Sequence, residues 1–514
     1  MRSFLRVVAS LVVVCGGLPG ASPGDASARI NAPEGGSLID AVKSGNVQAV
    51  NLALRQHGDP NEAEADGTTP ILRAVQEGRA DILAALIAAG ANVNARNNFG
   101  ISPLALSLTN GSPAMTLQLL KAGADPKVPV PEAGNALLAA ARTGESEVLT
   151  ALIKAGMNVN EAEPKTRQTA LMWAAAEGHE PAVRTLLAAG ADIKARSSRN
   201  ESPLFFAVRK GDIGVVDALL GAGADVNERA DPAAGNRQGA GATPLDPAVK
   251  GDSMLVVSIM NAHFALADFL LKKGADPNAV GARWTALHAL SRIRDYEEMQ
   301  YPPPIIRPND MDSLELGKSL LAHGANPNIR GRTTVARRDG GDQNYKDLIG
   351  ATPFFLAAKS GDVPYMRLLL AGGADPNIPI DDHTTPLMVA AGIGCVPGQW
   401  IEQERDVLAA VKMLVEELHA DVNAVNDDNE TAVQGGVCRN ADSVIQYLVD
   451  KGAKLNIKNM DGQTALDEAV DGINRSDRMK GPRIIIFHSP EHTISLVKKL
   501  TEEQRAAESA SARR

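Results

Sequence analysis

The 514-residue sequence predicts an all-α solenoid of about twelve stacked helix-turn-helix repeats, joined by short β-hairpin or loop fingers, and three spacings predict it. A Gly-Ala-Asp-like signal returns at Gly90, Gly123, Gly156, Gly190, Gly223, Gly274, Gly324, Gly373 and Gly452. The intervals are 33, 33, 34, 33, 51, 50, 49 and 79, and the last divides at His419 into 46 and 33. A short polar residue stands 21 positions before the signal at Thr69, Ser102, Asn135, Thr169, Ser202, Ser253, Thr352 and Thr431. A glycine stands 12 positions before it at Gly78, Gly111, Gly144, Gly178, Gly211 and Gly361, with Asn440 in that place near the C-terminus. Fixed periods of about 20–50 residues mark architectures in which one helix pair cannot bury its apolar stripe alone but a row of pairs can.

Taken in chain order, residues 1–28 read as a secretory signal peptide. Arg2 and Arg6 precede the apolar run Val7 to Val14, and the small-residue site Ala26-Ser27-Ala28 follows. Residues 29–36 form a short linker. Cleavage after Ala28 takes the formal charge from −9 to −10 and leaves two of the 3 cysteines, Cys395 and Cys438. Nothing is basic enough to predict a nucleic-acid partner. No later stretch approaches 18 uninterrupted apolar residues, so the mature chain is expected not to insert in a membrane. With 44% hydrophobic and 22% charged residues, wholly disordered and collagen-like classes are excluded.

The first helix of each repeat opens at the polar residue, whose side-chain oxygen can accept from free first-turn amides. Pro70, Pro103, Pro203, Pro353 and Pro386 follow at the position where a missing N–H costs nothing. Five residues past the cap come Ala74, Ser107, Ala140, Ala174, Ala207, Ser258, Ala357 and Ala390, small enough for close helix approach, with Leu290 as the exception. The glycine then ends the helix by taking a left-handed backbone. The second helix carries apolar pairs such as Leu86-Ile87, Leu152-Ile153 and Leu270-Leu271.

Segments such as Gly67-Thr68-Thr69-Pro70, Thr285-Ala286-Leu287-His288 and Gly223-Ala224-Asp225-Val226-Asn227 resemble the ankyrin repeat, and the resemblance covers residues 37 to about 500. Twelve repeats begin near 37, 67, 100, 134, 167, 200, 252, 283, 350, 383, 429 and 462. The family's helix-opening histidine survives as His288 alone, with Leu72, Leu138, Met172, Phe205, Phe355 and Met388 in its place.

The longer intervals locate insertions at 228–252, 292–313, 330–349, 393–405 and 474–489. In the seventh repeat Ser253 is the cap rather than Thr243, because Pro247 would interrupt the competing helix. Residues 501–514 are expected to be a disordered tail.

The resemblance implies a protein-binding scaffold with an extended concave face, and insertions in such arrays often form the binding face. The expected function is a secreted, periplasmic scaffold without enzymatic activity, a monomer, binding a protein partner through the concave face and the enlarged fingers of repeats six to ten. Two alternatives are an accessory ligand-binding or catalytic module built from the long loops, and an exported host-directed effector. Export to the cell exterior is the alternative destination. The nine histidines fall in separate repeats or lack helical spacing, and no nucleophile elbow, P-loop or dinucleotide fingerprint is present. No catalytic, cofactor or metal residue is therefore assigned, and no cofactor is expected.

Candidate partner-binding residues are Trp284, at a fingertip where other repeats have a small or polar residue, and Arg330, Arg332, Arg337, Arg338 and Tyr345 on one enlarged finger. Tyr296 and Tyr301 flank the eighth repeat's long turn beside Pro302-Pro303-Pro304. Cys395 and Cys438, 10 and 7 residues past the caps Thr385 and Thr431, form a candidate disulfide between the tenth and eleventh repeats, free thiols being the competing reading.

Overall fold

Short polar caps and left-handed helix ends recur through the computed structural model, which describes residues 37–230, 251–281, 284–294, 311–331, 348–394, 404–476 and 489–511. The leader, the linker, Tyr296, Tyr301, Arg332, Arg337, Arg338, Tyr345 and Cys395 lie outside the described residues. The chain divides into two compact parts, Met1–Asn98 and Phe99–Arg514.

In the first part, two repeats pair Leu38–Lys43 with Val47–Arg55 and Pro70–Gln76 with Ala80–Ala88. The second part holds ten more. Its pairs run Pro103–Thr109 with Pro113–Lys121, Ala136–Thr143 with Ser146–Lys154, and Ala170–Glu177 with Glu180–Ala188. Next come Pro203–Lys210 with Ile213–Gly221, Met254–Met260 with Phe264–Lys272, and Ala286–Arg294 with Ser313–Ala322. The last four pair Pro353–Lys359 with Val363–Ala371, Pro386–Ala391 with Glu404–Lys412, Ala432–Arg439 with Asp442–Asp450, and Ala465–Ser476 with Pro490–Ser511. Among the described residues the sheet is one hairpin, Pro129–Val130 with Gly134–Asn135. No described helix is long and apolar enough to cross a membrane.

The caps explain the helix starts. The side chains of Ser102, Asn135, Ser202 and Thr352 accept from the amides of Ala105, Leu138, Phe205 and Phe355 at 2.9–3.1 Å. Ser253 does the same for Val256, so the seventh repeat adopts the Ser253 register. Thr69 caps by backbone alone, its buried hydroxyl having no partner. Ala74, Ser107, Ala140, Ala174, Ala207 and Ala357 are fully buried, and in the second part the first helices pack side by side in an unbroken row.

Asparagines tie successive fingers. In Asn160, Asn227, Asn278, Asn328 and Asn423 the side-chain carbonyl accepts from the backbone N–H of the next repeat's Asp192, Asp276, Asn326, Asp375 and Lys454 at 2.7–2.9 Å. Their amides donate to the carbonyls of Gly190, Gly274, Gly324, Gly373 and Gly452. The rungs run unbroken from the sixth repeat to the ninth, where the sequence intervals stretch to about 50 residues. The insertions therefore leave the stacking register untouched. Two enlarged fingers are pinned at the base: Ala230 N donates to Asp252 O at 2.9 Å, and Gly331 N to Ala351 O at 2.8 Å.

Two expectations need correction. The insertion read at 393–405 accounts for the tenth repeat's long interval only in part: the second helix already begins at Glu404, and its nine α-helical residues continue into the five-residue π-turn Met413–Glu417. Leu414 to His419 is one residue longer than Leu369 to Gly373, and the wider turn absorbs it, so Ala420 N reaches Leu414 O where Ala374 N reaches Leu369 O. The expected disordered tail is helical through Ser511. Leu500 and Thr501 are buried, and Gln504 Nε2 donates to Ala453 O at 2.7 Å, because this helix covers the last repeats' apolar face. Asp442 anchors its start, contacting His492 and accepting from Thr493 Oγ1 at 2.6 Å.

Candidate protein-interaction surface

Trp284 does not face outward as expected: it is 4% exposed. Its ring lies 5.4 Å from the His288 ring, Arg292 sits over it, and a Cβ added to Gly331 would come within 3.1 Å of it. A fingertip tryptophan has an adjacent finger to pack against, and burying so large an apolar surface outweighs leaving its N–H without a partner. Arg330 is also engaged within the chain, donating to Gly350 O and Pro379 O at 3.0 Å and to Asp381 at 2.7 Å.

Trp284 belongs to a buried polar seam between the eighth and ninth repeats. His288 Nε2 must carry the proton, because it donates to the Ala351 carbonyl at 3.0 Å, which leaves Nδ1 to accept from Thr285 Oγ1 at 2.7 Å. Burial pushes the His288 pKa down from 6.5 to about 4, the bond to Ala351 opposing it. Arg294 forks onto Asp362 through Nε at 2.5 Å and Nη2 at 2.9 Å, and stacks on Tyr365. The Tyr365 hydroxyl, its pKa raised by burial, donates to Leu287 O at 3.0 Å. All of these groups serve cohesion of the array.

What the first helices leave open is of another kind. Seven residues past the cap, in the last turn of the helix, stand Arg142, Arg209, Arg292 and Lys359. Arg142 and Arg209 are exposed. The Arg142 guanidinium lies 5.0 Å from the ring centroid of Trp173, which is half-buried on the neighbouring helix. That of Arg209 lies 5.9 Å from Phe205 and 5.6 Å from Phe206, and these two rings meet edge-on.

The backbone carbonyls of both arginines are held from the next repeat. His179 donates to Arg142 O at 3.0 Å and His263 to Arg209 O at 3.2 Å. Each imidazole covers the helix-ending glycine so closely that a Cβ on Gly144 or Gly211 would lie 2.6 Å from it. Sequence reading missed this surface. The available signal was cation and aromatic recurring in one register of the first helix, four and seven residues past the cap.

Family models described as ankyrin repeats in three copies match residues 38–130 and 137–230, and one described as an ankyrin repeat matches 349–381. Alpha-latrocrustotoxin-Lt1a of Latrodectus tredecimguttatus is 29% identical over 152 residues, 30% of this chain and 10% of that protein. The chain thus spans about a tenth of that relative's length. An ankyrin repeat domain from Acinetobacter baumannii AYE is 30% identical, with 37% of this chain and 98% of that one covered and a TM-score of 0.34. A chain from the complex of a predatory endopeptidase from Bdellovibrio bacteriovorus with an immunity protein matches at 26% identity over 36% of this chain and 97% of that one, with a TM-score of 0.32. With the helix pairs, their caps and glycines, and the matched family models in agreement, the chain belongs to the ankyrin repeat family.

Proposed function

We propose that this chain is a secreted protein-binding scaffold of the cell envelope, gripping a protein partner along its first-helix face with the enlarged connections of repeats six to ten as a rim. Ankyrin repeats generally act as protein-protein interaction scaffolds without enzymatic activity, and the fold carries that much of the reading. The observation behind the finer part is chemical: arginine and aromatic side chains, the types that dominate binding energy at interfaces, lie accessible at Arg142, Trp173, Phe205 and Arg209. The charged seam at Arg294 and Asp362, by contrast, is paired inside the array.

The leader-like residues 1–28 support export, and the periplasm is the proposed destination. The test is to fractionate the native cell and place a photo-crosslinking residue at position 176 of the first-helix face and, separately, at exposed Lys154 on a second helix. A protein adduct from position 176 alone, in the envelope fraction, supports the reading. Adducts of equal yield from both positions, or a chain confined to the cytosol with an intact leader, overturn it.

A further inference from the structure

We infer that the face formed by the first helices of repeats four to six, Ala136–Thr143, Ala170–Glu177 and Pro203–Lys210, recognises an extended acidic segment of the partner, with an apolar or aromatic residue between two carboxylates. The inference rests on the scaffold reading and names what the scaffold takes. Its basis is charge. In a chain of formal net charge −9, Arg142 and Arg209 are exposed cations with no carboxylate partner among the described residues. Three exposed cations outside this face, Arg184, Arg330 and Arg367, are by contrast paired with Glu180, Asp381 and Glu417.

Geometry sets the spacing. The two guanidiniums stand two helices apart, and packed helices lie about 8–10 Å from axis to axis, so they are separated by about 16–20 Å. An extended chain rises about 3.3 Å per residue, so carboxylates five or six residues apart reach both. The chain between them passes over Trp173 and Phe205, half-buried rings that offer an apolar face. The site is preorganised: stacking on the rings holds each guanidinium, and His179 and His263 lock the helix ends that carry them.

The test uses the full chain and a displayed random dodecamer library. Recovered peptides are expected to carry two acidic residues five or six apart with an apolar residue between. The best of them, made synthetically, should bind about tenfold more weakly to Arg142→Gln and to Arg209→Gln, each of which loses one charge-assisted contact. Trp173→Ala should also weaken it, and affinity should fall as salt rises. Because both arginines are exposed, the Gln variants should unfold within a few degrees of the parent, which separates lost binding from lost folding. Selected peptides without the acidic spacing, or equal binding by the double Gln variant, overturn the inference. If the double variant still captures the envelope partner by photo-crosslinking, the acidic-segment inference fails and the scaffold reading stands. If acidic peptides bind but no partner crosslinks in cells, the outcome is reversed.

Discussion

A single histidine shows how one residue type can be kept for a local reason. Leu72, Leu138, Met172, Phe355 and Met388 occupy the His288 position in other repeats and are buried, as expected of apolar substitutes. His288 alone finds Ala351 O within reach. Burial lowers its folded pKa to about 4, so the unfolded chain takes up the proton first as pH falls. The histidine's contribution is complete above the unfolded value of about 6.5 and is lost as pH drops through that value toward 4, a swing of about 3 kcal/mol. Denaturant unfolding followed between pH 7 and 4.5, with amide exchange reporting on repeats eight and nine, should show this loss. In His288→Leu the junction should be weaker at pH 7 by about 1–3 kcal/mol, since Ala351 O loses its donor, and flatter with pH. An unchanged pH slope in the variant would assign the acid sensitivity to other groups.

At the scale of an element, equal-looking glycines do unequal work. Gly111 and Gly144 both end first helices with positive φ, +63° and +80°. Open space surrounds the first, while the His179 ring presses on the second. Gly111→Ala should therefore cost about 1–2 kcal/mol for the left-handed backbone alone. Gly144→Ala should cost clearly more, and His179→Ala in the same chain should recover part of the difference. Thermal unfolding of the three variants checks it; equal losses at the two glycines would show that the ring yields freely. The sequence made both helix ends legible, since only the backbone requirement is local. The pressing ring comes from another repeat. The π-turn at Met413–Glu417 is a similar case: an extra residue is visible in the spacing, but that the helix widens to hold it is decided by packing on both sides, where Glu417 pairs with Arg367 and Glu416 with Lys451.

At the scale of the whole molecule, the asparagine rungs continue from the sixth repeat to the ninth past the longest sequence intervals. Replacing 231–250 and 332–347 with short finger turns should leave thermal unfolding nearly unchanged, because the asparagine rungs and the pinned finger bases lie outside the replaced segments. Partner capture should weaken if these connections form the rim; unaltered capture by the doubly trimmed chain would confine binding to the helices. Cys438 is disulfide-bonded and exposed on the eleventh repeat, and Cys395 is the proposed partner. The chain should gain about 2 Da on reduction, as two thiols form, and peptide mapping should recover the two cysteines together. Two free thiols in the denatured, unreduced chain would eliminate the bridge.

Helix count, cap positions and the twelve-repeat register were legible in the sequence because each follows from short-range rules: a polar oxygen over free amides, a glycine at a left-handed turn, an apolar stripe at helical spacing. The direction in which a given large side chain points was not. Trp284 and Trp173 are the same residue type on the same kind of repeat, yet one is sealed under a neighbouring finger and the other lies open beneath Arg142. Likewise residues 501–511 read as a polar tail, and only the exposed edge of the last repeats made them a covering helix. In each case the deciding contact is with residues tens of positions away, and burial against a distant neighbour outweighs any local preference.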